Sequence, residues 1–178
     1  MNHTQTPLPA GMTAAAQLLL RPGTFFAAWG QGAGTIRQPA VFLIITAGLF
    51  ALASLVIIPA AASMQSWGLL GAILFVNAIG MTGLAALIGY IVVTMLLGRP
   101  IPFSRLFGIY AFAAGITLLF SWVPAFLWLT EPWKWWLIYT GLTVAGALRR
   151  GQALLVVGLS VGMMLLLFWS VINIIGPA

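Results

Sequence analysis

The chain has 178 residues and no cysteine; 62% of its residues are hydrophobic, only 4% are charged, and the formal net charge is +6. A soluble domain carries about 25% charged residues and needs them to keep its surface hydrated, so this composition excludes an ordinary soluble protein and indicates an integral membrane protein. The lack of cysteine excludes disulfides, thiol catalysis and thiolate metal sites.

Residues 1–38 are predicted to form a cytoplasmic arm that contains an interfacial helix. Residues 1–9 are polar and contain prolines, which indicates disorder, and residues 10–21 have the pattern of a short amphipathic helix. Its polar stripe consists of Thr13, Gln17 and Arg21. A second short helical segment carries Phe25, Phe26 and Trp29. The sequence leaves two placements open: the arm lies in the membrane interface with its apolar face down, or it packs against its own membrane domain.

Residues 39–178 are predicted to form the membrane domain, because five uncharged apolar runs follow one another. Each run is long enough, or nearly so, to cross a hydrocarbon core of about 30 Å as an α-helix. The predicted spans are residues 39–59, 67–97, 106–129, 135–148 and 151–175. The expected fold is therefore all-α: an integral membrane five-helix bundle with a short N-terminal amphipathic arm. The chain begins without a basic segment or a long apolar core, so no cleavable signal peptide is expected.

The second and fourth runs depart from the usual length of a span. As one helix the second run would measure roughly 46 Å, so it either tilts and projects or breaks near Asn77. The fourth run is short, and tryptophans at one end and a snorkelling Arg149 at the other are expected to make up the difference. Glu131 and Lys134 are expected in an outer loop between the third and fourth spans.

Six of the seven basic residues fall on one side of these spans, and the seventh, Lys134, shares its loop with the only acid, Glu131. Cytoplasmic loops are enriched in Lys and Arg, so this split predicts a multi-pass protein of the plasma (inner) membrane with a cytoplasmic N-terminus and an outer C-terminus. Tryptophans are expected at the outer ends of the spans, where the interface favours them: Trp67, Trp128, Trp133, Trp135, Trp136 and Trp169.

The arginines on the inner side are expected to form a basic cytoplasmic rim: Arg21, Arg37, Arg99, Arg105, Arg149 and Arg150. The partners expected there are membrane lipids, through the anionic headgroups of the cytoplasmic leaflet, and a protein partner that docks on the same surface. Nucleic acid is not expected as a partner, because the cations come in ones and twos rather than in a patch or groove.

The predicted spans contain no carboxylate, histidine or lysine, so little in them can carry catalysis. No enzymatic activity, cofactor or metal site is expected. The intramembrane polar residues that could line a path are Asn77, Thr117 and Ser121, although interhelical hydrogen bonds are the simpler role for them. Small-residue pairs permit close helix contact, either within one bundle, which is favoured, or in a homo-oligomer: Ala85 and Gly89, Gly141 and Ala145, and Gly158 and Gly162.

Four segments carry a resemblance through their order and spacing: Arg21 to Phe26 (RPGTFF), Leu97-Gly98 followed by Pro102-Phe103-Ser104, Gly108-Ile109-Tyr110, and Gly151 to Leu155 (GQALL). In these the chain resembles the Yip family, multi-pass membrane proteins named for interaction with Ypt/Rab GTPases. The resemblance implies five spans, a cytosolic N-terminus and a short outer tail. Residues 35–39 keep only the proline of the family's Asp-Leu-x-Gly-Pro motif, and Ala114 replaces a family proline. These departures imply a prokaryotic-type member.

The sequence supports function hypotheses of two classes. The leading hypothesis is a non-enzymatic scaffold or adaptor that organises membrane or partner proteins through the basic rim. The alternative is a small oligomeric channel or permease with Asn77, Thr117 and Ser121 along its path. A third hypothesis, close to the first, is an accessory subunit of a larger membrane complex.

Overall fold

The computed structural model describes residues 11–32, 35–57, 64–98 and 101–175. Within these ranges the chain forms seven α-helices and one short 3-10 turn, Pro124–Phe126, with no β-strand, which confirms the predicted all-α class. The helices are α1 (Gly11–Leu20), α2 (Pro22–Gln31), α3 (Arg37–Ile57), α4 (Met64–Leu97), α5 (Phe103–Ser121), α6 (Leu127–Val144) and α7 (Arg150–Ile175).

Three of the helices are long and apolar enough to cross a membrane: α3 over Arg37–Val56, α4 over Trp67–Leu97, and α5 over its whole length. Large apolar side chains lie outside the protein core at helical spacing. On α3 they are Val41, Ile45, Leu49, Leu52 and Val56. A soluble monomer rarely exposes so continuous an apolar surface, whereas lipid covers it at no cost. The chain is therefore a membrane protein.

Helix α4 settles the question that the length of the second predicted span left open. It is one continuous helix of 34 residues, with Asn77 in its interior. It contains no proline, and the Thr82 hydroxyl donates to the Ala78 carbonyl inside the helix rather than breaking it. At about 1.5 Å per residue the helix measures about 51 Å, so it must tilt in a hydrocarbon core of about 30 Å or project beyond it.

The boundary between the third and fourth predicted spans is wrong. Helix α5 ends at Ser121 rather than at residue 129, and α6 begins at Leu127 rather than at residue 135. The reason is Pro124, which lacks a backbone N–H and starts the 3-10 turn, where the Phe126 N–H donates to the Val123 carbonyl at 2.9 Å.

The segment expected as a loop is therefore the first part of a helix. Glu131, Pro132 and Lys134 all lie within α6. At its other end α6 stops at Val144 rather than at residue 148, because the chain folds back and the Gly146 N–H donates to the Gly141 carbonyl at 3.0 Å. The remaining predicted spans agree with α3 and α7 within about two residues, apart from residues 58 and 59, which lie outside the described ranges.

Helices α3 to α7, taken in chain order, alternate in direction, so that α3 and α5 run parallel to each other. Leu55 near the end of α3 packs against Gly71 near the start of α4, and Ile109 near the start of α5 packs against Gly141 near the end of α6. Helix α5 lies at the centre and contacts α3, α4 and α6. One end of the bundle, here called the arginine end, therefore holds Arg37, Arg105, Arg149 and Arg150. The opposite end, here called the turn end, holds residues 122–126.

Helix α2 packs inside the membrane domain, which is the second of the two placements that the sequence left open. Its aromatic residues Phe25, Phe26 and Trp29 are each less than 4% exposed, because α5 and α6 cover them. They are buried in protein rather than in lipid. The opposite face of the arm is exposed, and there the polar residues Gln17, Arg21, Thr24 and Gln31 alternate with Ala16, Leu20 and Ala28.

Glycines on the bundle make room for these aromatic rings. The Trp29 ring lies directly over Gly108 of α5, where any side chain would collide with it, and the Phe26 ring tip would lie 3.2 Å from a Cβ placed on Gly141 of α6. Phe25 and Trp29 each contact Phe112 edge-to-face, with ring centroids 5.0 and 5.5 Å apart. Such pairs contribute about 0.5–1.5 kcal/mol beyond their buried area.

Candidate functional site

A cavity of about 380 Å³ lies among helices α3 to α7. Asn77 of α4 and Thr117 and Ser121 of α5, the three residues predicted from sequence as a candidate path, all line it. Its volume falls within the range of about 300–1,000 Å³ that is typical of small-molecule sites. The rest of the wall is largely apolar and includes Phe50, Met81, Leu118, Trp135, Ile138, Val161, Met164 and Leu165.

The hydroxyl groups on the wall are already engaged by the helices that carry them. Thr82 donates to the Ala78 carbonyl at 2.8 Å, and Thr117 lies 3.0 Å from the Ala114 carbonyl. The Ser121 hydroxyl lies 2.8 Å from the Thr117 carbonyl and 3.2 Å from the Thr130 hydroxyl. Because these hydroxyl groups already donate hydrogen bonds within the protein, they can offer a ligand mainly the lone pairs of their oxygen atoms. The middle of the cavity therefore suits an apolar body better than a strongly polar one.

An ion pair lines the cavity toward the turn end. Lys134 Nζ lies 2.7 Å from both carboxylate oxygens of Glu131, and it lies 5.4 Å from the centre of the Trp135 ring. The Lys134 side chain is 22% exposed and that of Glu131 is 52% exposed. Because α6 runs from the turn end toward the arginine end, Lys134 is about 4.5 Å deeper than Glu131. The two charges are thus ordered along the axis of the bundle.

A buried hydrogen bond, here called the floor, lies below the deepest residues of the cavity wall, Ala85 and Ala114. One helical turn below Ala114, the Tyr110 hydroxyl lies 3.3 Å from the Ser160 hydroxyl of α7, and both residues are at most 1% exposed. The Tyr110 ring lies against Gly89, which is one turn below Ala85 on α4. Three helices therefore meet at this level, and the cavity does not continue through it to the arginine end.

The arginines of the predicted rim do not all occupy one surface. Arg37, Arg149 and Arg150 are exposed and Arg105 is half-buried, and all four lie at the arginine end. Arg99 lies outside the described residues. Arg21 lies at the far end of α2, because Gly30 rather than Arg21 packs beside Ala145. That separates Arg21 from the arginine end by about 13 Å of helix.

The small-residue pairs fall into two groups. Two of the pairs are buried within the bundle: Ala85 with Gly89, and Gly141 with Ala145. This agrees with the favoured prediction that such pairs bring helices together inside one bundle. Gly158 and Gly162 of α7 are different, since a Cβ placed on either would meet no atom within 4 Å. Only this third pair faces outward among the residues that the structure describes.

No family model, no curated protein and no solved structure matches this chain. The resemblance to the Yip family therefore stays a prediction from the sequence. The case for a function rests on the geometry of the cavity and of the arginine end.

The sequence did not predict that Tyr110 lies next to the cavity, nor that Glu131 and Lys134 lie on its wall. A helical period carries the signal for Tyr110, because Tyr110, Ala114, Thr117 and Ser121 recur at intervals of three and four along α5. The charged pair was missed because it was expected in a loop. On a helix, residues i and i+3 share one face, and both then line the same wall.

Proposed function

We propose that the protein is a five-span membrane protein that binds a small amphipathic solute in the cavity, in the manner of a small permease. One observation carries this proposal. The intramembrane polar residues Asn77, Thr117 and Ser121 converge on a single cavity that also holds the only acid of the chain. Separate interhelical hydrogen bonds would not require them to share one space.

The proposed topology has α3 to α7 each crossing the bilayer once. The alternating helix directions and the concentration of arginines at one end support it. By the preference of Lys and Arg for cytoplasmic loops, the arginine end is cytoplasmic and the turn end is outside. The plasma (inner) membrane, the cytoplasmic N-terminus and the outer C-terminus belong to the same proposal.

The solute is proposed to enter from outside. Glu131, half-exposed, marks the turn end of the cavity, while the Tyr110–Ser160 contact closes the opposite end. In this proposal the cavity is open to the outside and closed toward the cytoplasm, and passage to the cytoplasm would require Tyr110 to move.

Single-cysteine labelling tests the cavity, because the chain has no native cysteine. Val161→Cys, on the cavity wall, is expected to react with a membrane-impermeant thiol reagent added to intact cells. Val157→Cys, one turn deeper on α7 and packed against the core, is expected to stay unreactive. If Val161→Cys is as unreactive toward the reagent as Val157→Cys, the cavity does not face outward.

The same assay tests the topology. Ser104→Cys and Gly151→Cys at the arginine end are expected to react only after permeabilisation, whereas Ser63→Cys and Ala178→Cys, which lie outside the described residues, are expected to react in intact cells. Labelling of Ser104→Cys from outside would contradict the five-span arrangement.

The scaffold or adaptor function, alone or within a larger complex, is the second candidate. Its support is that Arg37, Arg149 and Arg150 lie exposed at one end of the bundle, where they can contact anionic headgroups or an acidic protein surface. The exposed Gly158–Gly162 face offers a contact for a second copy.

Replacing Arg37, Arg149 or Arg150 singly by Gln is expected to leave the free energy of unfolding within about 0.5 kcal/mol of wild type, since each is an exposed charge. Each change removes about 1 kcal/mol of attraction to anionic lipid. Native mass spectrometry should show less retained anionic lipid, with a larger loss at high salt. Arg21→Gln is the matched control, because it also removes one positive charge but at a position away from the arginine end. Identical lipid and partner retention in all the variants would eliminate the rim as a binding surface.

A further inference from the structure

We propose that the cavity selects a zwitterionic amphiphile whose apolar tail is followed first by an anionic and then by a cationic group, as in a phosphoethanolamine lipid or lysolipid. This inference rests on the proposed function and adds the class of ligand to it. It is carried by the order of the groups along the cavity: a largely apolar wall, then Lys134, then Glu131.

The charge of the site sets the first requirement. Lys134 and Glu131 form a close pair with no net charge, 2.7 Å apart. A ligand with a net charge would leave one charge without a counter-charge at the edge of a low-dielectric membrane, which is costly. A ligand that carries one charge of each sign leaves the site neutral and gives each side chain a second partner.

The depth of the two charges sets the second requirement. Lys134 is about 4.5 Å deeper than Glu131 and is less exposed. An amphiphile that enters tail first places its phosphate next to the tail and its ammonium farthest out. The phosphate then lies at the level of Lys134 and the ammonium at the level of Glu131.

The wall below the ion pair suits the tail. It consists of apolar side chains such as Ile138, Met164 and Leu165, and the hydroxyls of Thr82 and Thr117 already donate to backbone carbonyls. These two threonine hydroxyls therefore offer no free donor to a ligand at this depth.

The test measures how three probes with the same octanoyl chain protect Val161→Cys from N-ethylmaleimide. The full-length protein is held in an uncharged maltoside detergent. The probes are octanoyl lysophosphatidylethanolamine (zwitterionic), octanoyl lysophosphatidylglycerol (anionic) and monooctanoylglycerol (uncharged). The zwitterion is expected to give half-protection at no more than about one-tenth of the concentration that either other probe requires, a ratio that corresponds to about 1.4 kcal/mol.

Two variants test the origin of the preference. Glu131→Gln leaves Lys134 alone, and the anionic probe is then expected to protect about tenfold better than the zwitterion. The double change Glu131→Lys with Lys134→Glu keeps the pair neutral but reverses its order, and the tenfold preference for the zwitterion is expected to disappear. Protection by monooctanoylglycerol should be unchanged in both variants, which shows that the cavity is still folded.

The outcomes separate this inference from the function on which it rests. If all three probes protect Val161→Cys equally, or if the anionic probe protects wild type best, the headgroup inference is wrong and the binding cavity stands. If Val161→Cys reacts and no probe protects it, the proposed function itself is wrong. If the reversed pair keeps the preference, the order of the two charges does not select the ligand.

Discussion

Replacing Trp29 by alanine is expected to lower the free energy of unfolding by about 3–5 kcal/mol, the cost of deleting a large buried side chain. The indole is only 3% exposed and fills the space over Gly108 on a neighbouring helix. Unfolding in mild detergent, followed by circular dichroism, measures the effect. A loss below about 1 kcal/mol would mean that α2 lies in the membrane interface and is not part of the core.

The complementary change is Gly108→Ala, which adds a methyl group where the Trp29 ring lies. We expect it to cost about 1–3 kcal/mol, because the ring is held between Gly108 and Phe112 and cannot retreat. Gly158→Ala is the matched control, since its methyl group would meet no atom within 4 Å. Combining Gly108→Ala with Trp29→Phe should cost less than the sum of the two single changes, because the smaller ring leaves room for the methyl group.

Gly89→Ala is expected to lower the free energy of unfolding by about 1–3 kcal/mol and to open the floor of the cavity. A Cβ at this position would collide with the Tyr110 hydroxyl and lie 2.9 Å from Tyr110 Cζ, so the ring must move away from Ser160. The readout for the floor is Val157→Cys, which should become reactive from outside in the Gly89→Ala background.

Two comparisons isolate the cause of that effect. Gly83→Ala lies on the same helix and adds a methyl group into open space, so both its stability and the Val157→Cys labelling should match wild type. Tyr110→Phe combined with Gly89→Ala removes the colliding oxygen and should recover part of the lost stability. If Gly89→Ala leaves Val157→Cys unreactive, Tyr110 does not close the cavity.

The two functional candidates depend on opposite ends of the bundle, so their variants should not affect each other. Changes at Arg149 or Arg150 act on the surface of the arginine end, whereas Glu131 and Lys134 lie toward the turn end. Variants more than about 10 Å apart with no shared partner are expected to be additive. Strong coupling between the two sets would mean that occupation of the cavity changes the arginine end, which is the behaviour of a transporter and not of a static scaffold.

The amino-acid sequence by itself determined the membrane character, the all-helical class and the grouping of four arginines at one end. These properties depend on local composition: an uninterrupted apolar run has to be helical in lipid, because each backbone group must find its partner within the same segment. For the same reason the limits of α3 and α7 were predictable to within about two residues. The limits of α5 and α6 were not, because the charges and the proline of residues 131–134 are typical of a loop, whereas the segment is helical and pairs Glu131 with Lys134 three residues along the helix.

The tertiary structure alone decided where the arm lies and what the polar residues do. An apolar face with Phe26 and Trp29 suits lipid and protein equally, and the choice depends on whether Gly108 and Gly141, more than 75 residues away, leave space for the rings. Tyr110 and Ser160 are 50 residues apart, and no local pattern relates them. Steric fit between distant segments is a property of the packed chain, so the sequence could indicate Asn77, Thr117 and Ser121 as a path, but only the packing of α4 against α5 brings them to one cavity.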